Sequence, residues 1–246
     1  MKSYLGWMLI LLPALLRGGE LDLPVPPVRL GDKKPHAPAE DDDPTADPRD
    51  TPAPTFYGEE IDCEGDSIYY VIDMSGSMQN CGAGTPGNLM RSFVAPDGSI
   101  QLGNRWERAK AEAIRSIRGL ADNFKFGIVL YNCSTEAWSS ELRDATATNK
   151  ADAEGWLRRH YWADGMTATG PGTAIGLRAG TGAVVLLTDG EPNCGADGLE
   201  GHRRMISSNN VRHVPITVFG IDAQGDWRRF CQNVANDSGG KYYDVP

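Results

Sequence analysis

Two short stretches carry the chemistry this sequence offers. Asp73-Met74-Ser75-Gly76-Ser77 presents one carboxylate and two hydroxyls within five residues, and Thr188-Asp189-Gly190 adds a second carboxylate. Between them lies Gly165-Met166-Thr167-Ala168-Thr169-Gly170-Pro171-Gly172-Thr173, which is rich in further hydroxyls. These are hard oxygen donors with no thiol or imidazole among them. Such a set suits Mg²⁺, Mn²⁺ or Ca²⁺ and disfavours zinc or copper. Mg²⁺ takes oxygens at about 2.0–2.1 Å in an octahedron and usually keeps waters. With few protein carboxylates around it the ion stays electrophilic, so it can accept another carboxylate from a partner. Either stretch alone is weak evidence, since Asp and Ser populate many turns and Thr-Asp-Gly is a common strand exit.

Their positions strengthen the reading. Residues 67–72 (SIYYVI) form a short β-rich run that ends at Asp73, and residues 183–187 (AVVLL) form a wholly apolar run that ends just before Thr188-Asp189. Ligands of open α/β sheets collect at the carboxyl ends of the strands. Further strands are expected at 126–131 and 215–219, at the edge over 135–142, and at the C-terminal end over 241–245. Helical spacing of Trp106, Ala109, Ala113, Ile117, Leu120 and Phe124 predicts a helix over 104–124, with Asn104 and Glu107 as a capping box. Other helices are expected at 150–160, before the central strand, at 199–207, and at 226–236 with Asp226 as N-cap. Apolar strands alternating with amphipathic helices imply a mostly parallel sheet covered on both faces. Residues 79–103 read as an insert rich in glycine and proline, with a small hairpin around Asp97-Gly98.

Asp73-Met74-Ser75-Gly76-Ser77 resembles the first segment of the metal-ion-dependent adhesion site of the von Willebrand factor type A family, and Thr188-Asp189-Gly190 resembles its third. The similarity runs from about residue 65 to 245. It implies a Rossmann-like α/β fold: an open, mostly parallel sheet with one antiparallel edge strand and helices on both faces. It also implies that Ser75 and Ser77 ligate the ion directly, that Asp73 and Asp189 act largely through water, and that a middle-loop threonine completes the set. The family commonly has Gly-Gly-Thr there, whereas this chain has Gly165-Met166-Thr167. Thr167 is preferred, with Thr173 as the competitor.

Composition narrows the remaining possibilities. Of 246 residues, 40 % are apolar and 23 % charged, which suits a globular domain. The formal charge is −9 with no basic stripe, which argues against a nucleic-acid partner and gives no attraction to an anionic membrane. Lys2 and the apolar run at 5–16 read as an export signal, so residues 1–19 are a signal peptide or an uncleaved membrane tether. Residues 20–60, with many prolines and the acidic run at 40–43, read as a disordered spacer. The domain then spans 61–246. Five cysteines (Cys63, Cys81, Cys133, Cys194 and Cys231) lack any C-x-x-C pair. Cys81, Cys133 and Cys194 all follow strand ends, so two of them are expected to pair at the metal-bearing rim; separate buried thiols are the alternative.

Other chemistry finds little support. Gly170-Pro171-Gly172 with Gly176 fails the dinucleotide-loop spacing. His36, His160, His202 and His213 are scattered and suit surface or satisfied roles. Asp122, Asp222 and Asp226 could form an acid–base pair only if the fold brought them together. Trp138, Trp156, Trp162 and Trp227 suit packing. The expected function is a non-enzymatic, divalent-metal-dependent adhesion module outside the cytoplasm, secreted, periplasmic or on the cell surface, which recognises a protein ligand through an acidic side chain. One alternative is a partner subunit of an AAA+ ATPase in a chelatase-like assembly. The other is a metal-assisted hydrolase.

Overall fold

A computed structural model describes residues 52–79 and 90–245. The expectations for residues 1–19, for most of the spacer and for Cys81 lie outside the described residues. The strands are β1 (Thr55–Phe56), β2 (Glu59–Glu60), β3 (Ser67–Asp73), β4 (Arg91–Val94), β5 (Ile100–Gly103), β6 (Lys125–Tyr131), β7 (Thr135–Ala137), β8 (Arg143–Asp144), β9 (Ala183–Thr188), β10 (Ile216–Ile221) and β11 (Tyr242–Val245). The helices are α1 (Gly76–Gln79), α2 (Arg105–Gly119), α3 (Ala147–Arg159), α4 (Thr169–Arg178), α5 (Gly198–Asn209) and α6 (Gly225–Ser238).

The main sheet runs β11-β10-β9-β3-β6-β7, with β8 also paired to β6. Strands β11, β10, β9, β3 and β6 are mutually parallel, whereas β7 and β8 pair antiparallel with β6 at the edge. The chain steps from β3 to β6 on one side and later returns to place β9 on the other. The strand order therefore reverses at β3, and a crevice opens between the carboxyl ends of β3 and β9. The register pairs Ile72 with Leu187. Asp73 therefore lies level with Thr188, one residue before Asp189.

Strand alternation divides the core in two. Ile68, Tyr70 and Ile72 face a layer built by Trp106, Ala109, Ala113 and Ile117 of α2 and Leu157 of α3. Tyr69 and Val71 face the opposite layer, with Leu177 of α4, Ile206 of α5, and Phe230 and Val234 of α6. Each of the larger aliphatic side chains among these, once buried, contributes on the order of 1.5–3 kcal/mol. This two-sided burial is why β3 and β9 read as continuous apolar runs rather than alternating ones.

The helix starts follow local chemistry. Asn104 caps α2 by accepting from the Glu107 N–H, and the Glu107 carboxylate accepts from the Asn104 N–H, so the expected capping box is present. For α6 the cap differs from expectation: Gln224 is the N-cap, and Asp226 lies in the first turn, where its charge still suits the positive helix end. The edge strand expected over 135–142 is only the short β7 at Thr135–Ala137, and a second short strand, β8, follows it at Arg143–Asp144. The insert carries the expected hairpin, β4 paired antiparallel with β5.

The folded unit begins before residue 61. Composition assigns residues 52–60 to the spacer, yet β1 and β2 form a hairpin and Phe56 is fully buried. Its ring lies 5.0 Å from that of Phe219 and 5.9 Å from that of Tyr70. Phe56 and Tyr57 pack against Phe219 of β10, and the Tyr57 N–H donates to Glu112 of α2, which docks the segment. Phe56→Ala is expected to cost about 3–5 kcal/mol in denaturant unfolding; a change below about 1 kcal/mol would return this segment to the spacer.

Candidate metal centre

At the crevice the sheet delivers Asp73 from β3 and Asp189 just after β9. Asp73 is fully buried and Asp189 nearly so. Burial pushes the Asp73 carboxyl above its ordinary range, and the neighbouring Asp189 charge pushes it further. Asp189 is raised too, chiefly by burial, against the lowering effect of Ser77 and Arg105. Two carboxylates held together out of water strongly favour a cation or a proton.

The donors around Asp73 fix its orientation. Its Oδ1 accepts from the Ser75 N–H at 2.8 Å, and its Oδ2 accepts from the Thr188 hydroxyl at 2.7 Å. Ser75 Oγ lies 3.1 Å from Ser77 Oγ, and Ser77 Oγ donates to Asp189 Oδ1 at 2.6 Å. The turn after β3 thus sets both serine hydroxyls between the two carboxylates. Thr167 joins them from a separate loop. A Cβ placed on Gly190 would stand 3.1 Å from Ser77 Oγ and 3.6 Å from Thr167 Oγ1, so both hydroxyls border one small space that glycine leaves clear. Thr173 does not reach it: its hydroxyl donates to the Thr169 carbonyl inside α4, and the side chain is fully buried there.

The structure therefore brings Asp73, Ser75, Ser77, Thr167 and Asp189 to one crevice. Two carboxylates and three hydroxyls fit a hard cation. Among the described residues no three His, Cys, Asp or Glu side chains gather as a metal site. An ion here would have to rely on the hydroxyls.

Thr167 is held firmly. Its N–H donates to Asn193 Oδ1 at 2.8 Å, and its carbonyl accepts from the N–H groups of Asn193 and Cys194 at 2.9 and 3.2 Å. The next N–H, of Ala168, donates to the Asn132 carbonyl at 2.8 Å. Earlier in the loop, Gly165 accepts from the Gly76 N–H at 2.9 Å and adopts φ +80°, a left-handed conformation that glycine takes without strain. The loop starts at His160, whose carbonyl accepts from Trp106 Nε1 and Lys110 Nζ of α2. After it, the N–H of Gly170 donates to Nδ1 of fully buried His202, which burial keeps below its ordinary pKa.

Cys133 and Cys194 form a disulfide with Cα atoms 5.9 Å apart. The expected rim pairing is therefore present, and it joins the loops after β6 and β9. Asn132 and Asn193, which grip the Thr167 loop, each precede one of the bridged cysteines. Cys63 and Cys231 are free thiols.

Sequence reasoning missed Asn132, Asn193 and a neighbouring ionic cluster. Arg105 Nη1 donates to Asp189 Oδ2 at 2.9 Å, and Arg105 also bridges to Asp222. The three aspartates considered as acid–base partners do not converge. Asp222 pairs with Arg105 and Arg91, Asp122 with Lys150, and Asp226 with Arg229. Trp162 departs from its expected packing role, being 57 % exposed, and with Tyr161 and Met166 it gives the Thr167 loop an apolar outer surface.

The fold is the von Willebrand factor type A fold. The chain is similar to a von Willebrand factor type A protein from Catenulispora acidiphila, with a TM-score of 0.56 and 18 % identity over 74 % of this chain and 38 % of that one. It is also similar to the PilB minor pilin from Streptococcus sanguinis, with a TM-score of 0.51 and 16 % identity over 75 % of this chain and 58 % of that one. The chain thus spans less than two thirds of either protein. No protein-family model matches the sequence, and no curated protein matches it.

Replacing both bridged cysteines by serine (Cys133→Ser with Cys194→Ser) is expected to cost about 2–4 kcal/mol in urea unfolding. It should also speed amide exchange at Thr167 and Ala168 far more than in β3. Unchanged exchange at those two amides would show that the bridge does not hold the loop.

Proposed function

We propose that this domain is a divalent-metal-dependent binding module, without catalysis, in which Asp73, Ser75, Ser77, Thr167 and Asp189 hold one Mg²⁺ or, in its place, Mn²⁺ or Ca²⁺. The observation that carries the reading is the pair of adjacent buried carboxylates bordered by three hydroxyls at the point where the strand order reverses. Ser75, Ser77 and Thr167 supply neutral oxygens, and the two aspartates supply the charge. Such an ion keeps an open position for a carboxylate oxygen of a protein partner. The exposed Tyr161, Trp162 and Met166 lie on the same loop as Thr167, where they offer apolar contact beside that position.

The disulfide supports a location outside the cytoplasm, because such bonds persist in oxidising compartments. It weighs against the ATPase-linked reading for the same reason. The dispersal of Asp122, Asp222 and Asp226 into separate ion pairs leaves a hydrolase reading without a positioned base. The negative formal charge supports a partner other than nucleic acid. No helix among the described residues is long and apolar enough to cross a membrane.

Isothermal titration with Mg²⁺ and Mn²⁺ should show one site per chain. Asp73→Ala should lower the affinity at least about a hundredfold, the scale of losing a buried charged ligand. A Thr173→Val variant should bind as the wild type does, whereas Thr167→Val should bind more weakly. Equal binding by the wild type and Asp73→Ala would overturn the assignment.

A further inference from the structure

Arg105 is the first residue of α2, and its side chain is only 21 % exposed. Neither the helix nor the core needs an arginine there. The Asn104–Glu107 box caps α2, and Trp106 and Ala109 anchor its apolar face. Instead the guanidinium crosses to the metal centre. Nη1 donates to Asp189 Oδ2 at 2.9 Å, while Nε and Nη2 reach Asp222 Oδ2 at 3.0 and 2.9 Å. Asp222, the residue after β10, has φ +50°, a conformation uncommon for a non-glycine residue that turns its backbone at the rim. Its second oxygen accepts from Arg91 of the insert hairpin at 3.2 Å. Charges therefore alternate from Arg91 through Asp222 and Arg105 to Asp189.

We propose that Arg105 is a specificity-determining residue that sets the net charge of the metal centre; this rests on the metal reading above. Arg105 brings a full positive charge to the buried Asp73–Asp189 pair, while Arg91 and Arg108 face Asp222 on its outer side. With a divalent ion held there, the centre is more positive by one charge than it would be with a neutral residue at position 105. An anionic group on the partner offsets that added charge, and a neutral ligand does not. Arg105 weakens the hold on the ion by repulsion and by sharing Asp189. The same charge raises the affinity of the loaded centre for one carboxylate. Arg105 thus favours a carboxylate side chain on the partner over an uncharged oxygen ligand.

The test uses Mn²⁺ as the ion and acetate as the carboxylate probe. Water-proton relaxation reads both Mn²⁺ binding and displacement of water by acetate. Arg105→Gln should bind Mn²⁺ about tenfold more tightly and need about tenfold more acetate for half-displacement. Arg105→Lys, which keeps the charge, should stay near the wild type, as a purely geometric role for the guanidinium would not. Asp222→Asn adds one positive charge and should shift both readings the opposite way, which keeps the idea testable if Arg105→Gln folds poorly. Equal Mn²⁺ affinity and equal acetate response in the wild type, Arg105→Gln and Asp222→Asn would overturn the role of Arg105 alone. A wild-type protein that binds no Mn²⁺ would overturn the metal reading and this proposal with it.

Discussion

Two carboxylates, Asp73 and Asp189, are buried side by side at the end of the central strands. Neither charge is cheap to remove from water, and their mutual repulsion adds to the cost. Much of the surrounding structure answers this constraint. The Ser75 N–H, the Thr188 hydroxyl and the Ser77 hydroxyl all donate to these oxygens, and Arg105 supplies a full positive charge. The arrangement is stable only because β3 and β9 are locked in parallel register, with apolar layers on both sides. It is a charged pocket placed at the end of a dry, rigid sheet.

The loops above the sheet are tied down by several independent means. Asn193 holds both polar atoms of the Thr167 backbone, and Asn132 holds Ala168. The Cys133–Cys194 bridge joins the segments from which those asparagines reach. Thr167 is thereby fixed beside Ser77 without belonging to a helix or strand. A hydroxyl placed this way needs no attraction from a cation to order its loop.

The insert after α1 is tied to the same centre. Its hairpin is linked through Arg91 to Asp222, and α2, which follows directly, sends Arg105 to Asp189. Exposed Val94, Ile100 and Leu102 lie on that hairpin. The segment that departs most from regular βα alternation is thus in electrostatic contact with the residues that carry the chemistry.

Much of this was legible in the sequence. Apolar runs marked β3, β6, β9 and β10, because strands covered on both faces must be apolar throughout. The spacing of Trp106, Ala109, Ala113 and Ile117 marked α2, and Asn104 with Glu107 marked its start. Asp73, Ser75, Ser77 and Asp189 stood out because strand ends in such sheets converge. The fold places Thr167 near them, while the Thr173 hydroxyl is bonded within α4. Phe56 was hidden by the prolines around it, since composition averages over a segment and burial depends on single side chains. Arg105 and Asp222 are 117 residues apart, and Arg105 and Asp189 are 84 apart. No local pattern relates such residues. Hydrophobic period and turn chemistry are local and can be read along the chain, which is why the core strands, the main helices and the acidic strand ends were visible there. Which charge meets which depends on the order of strands and the path of loops in space, so the threonine beside the carboxylates, the disulfide partner and the arginine at the centre emerge only in the folded chain.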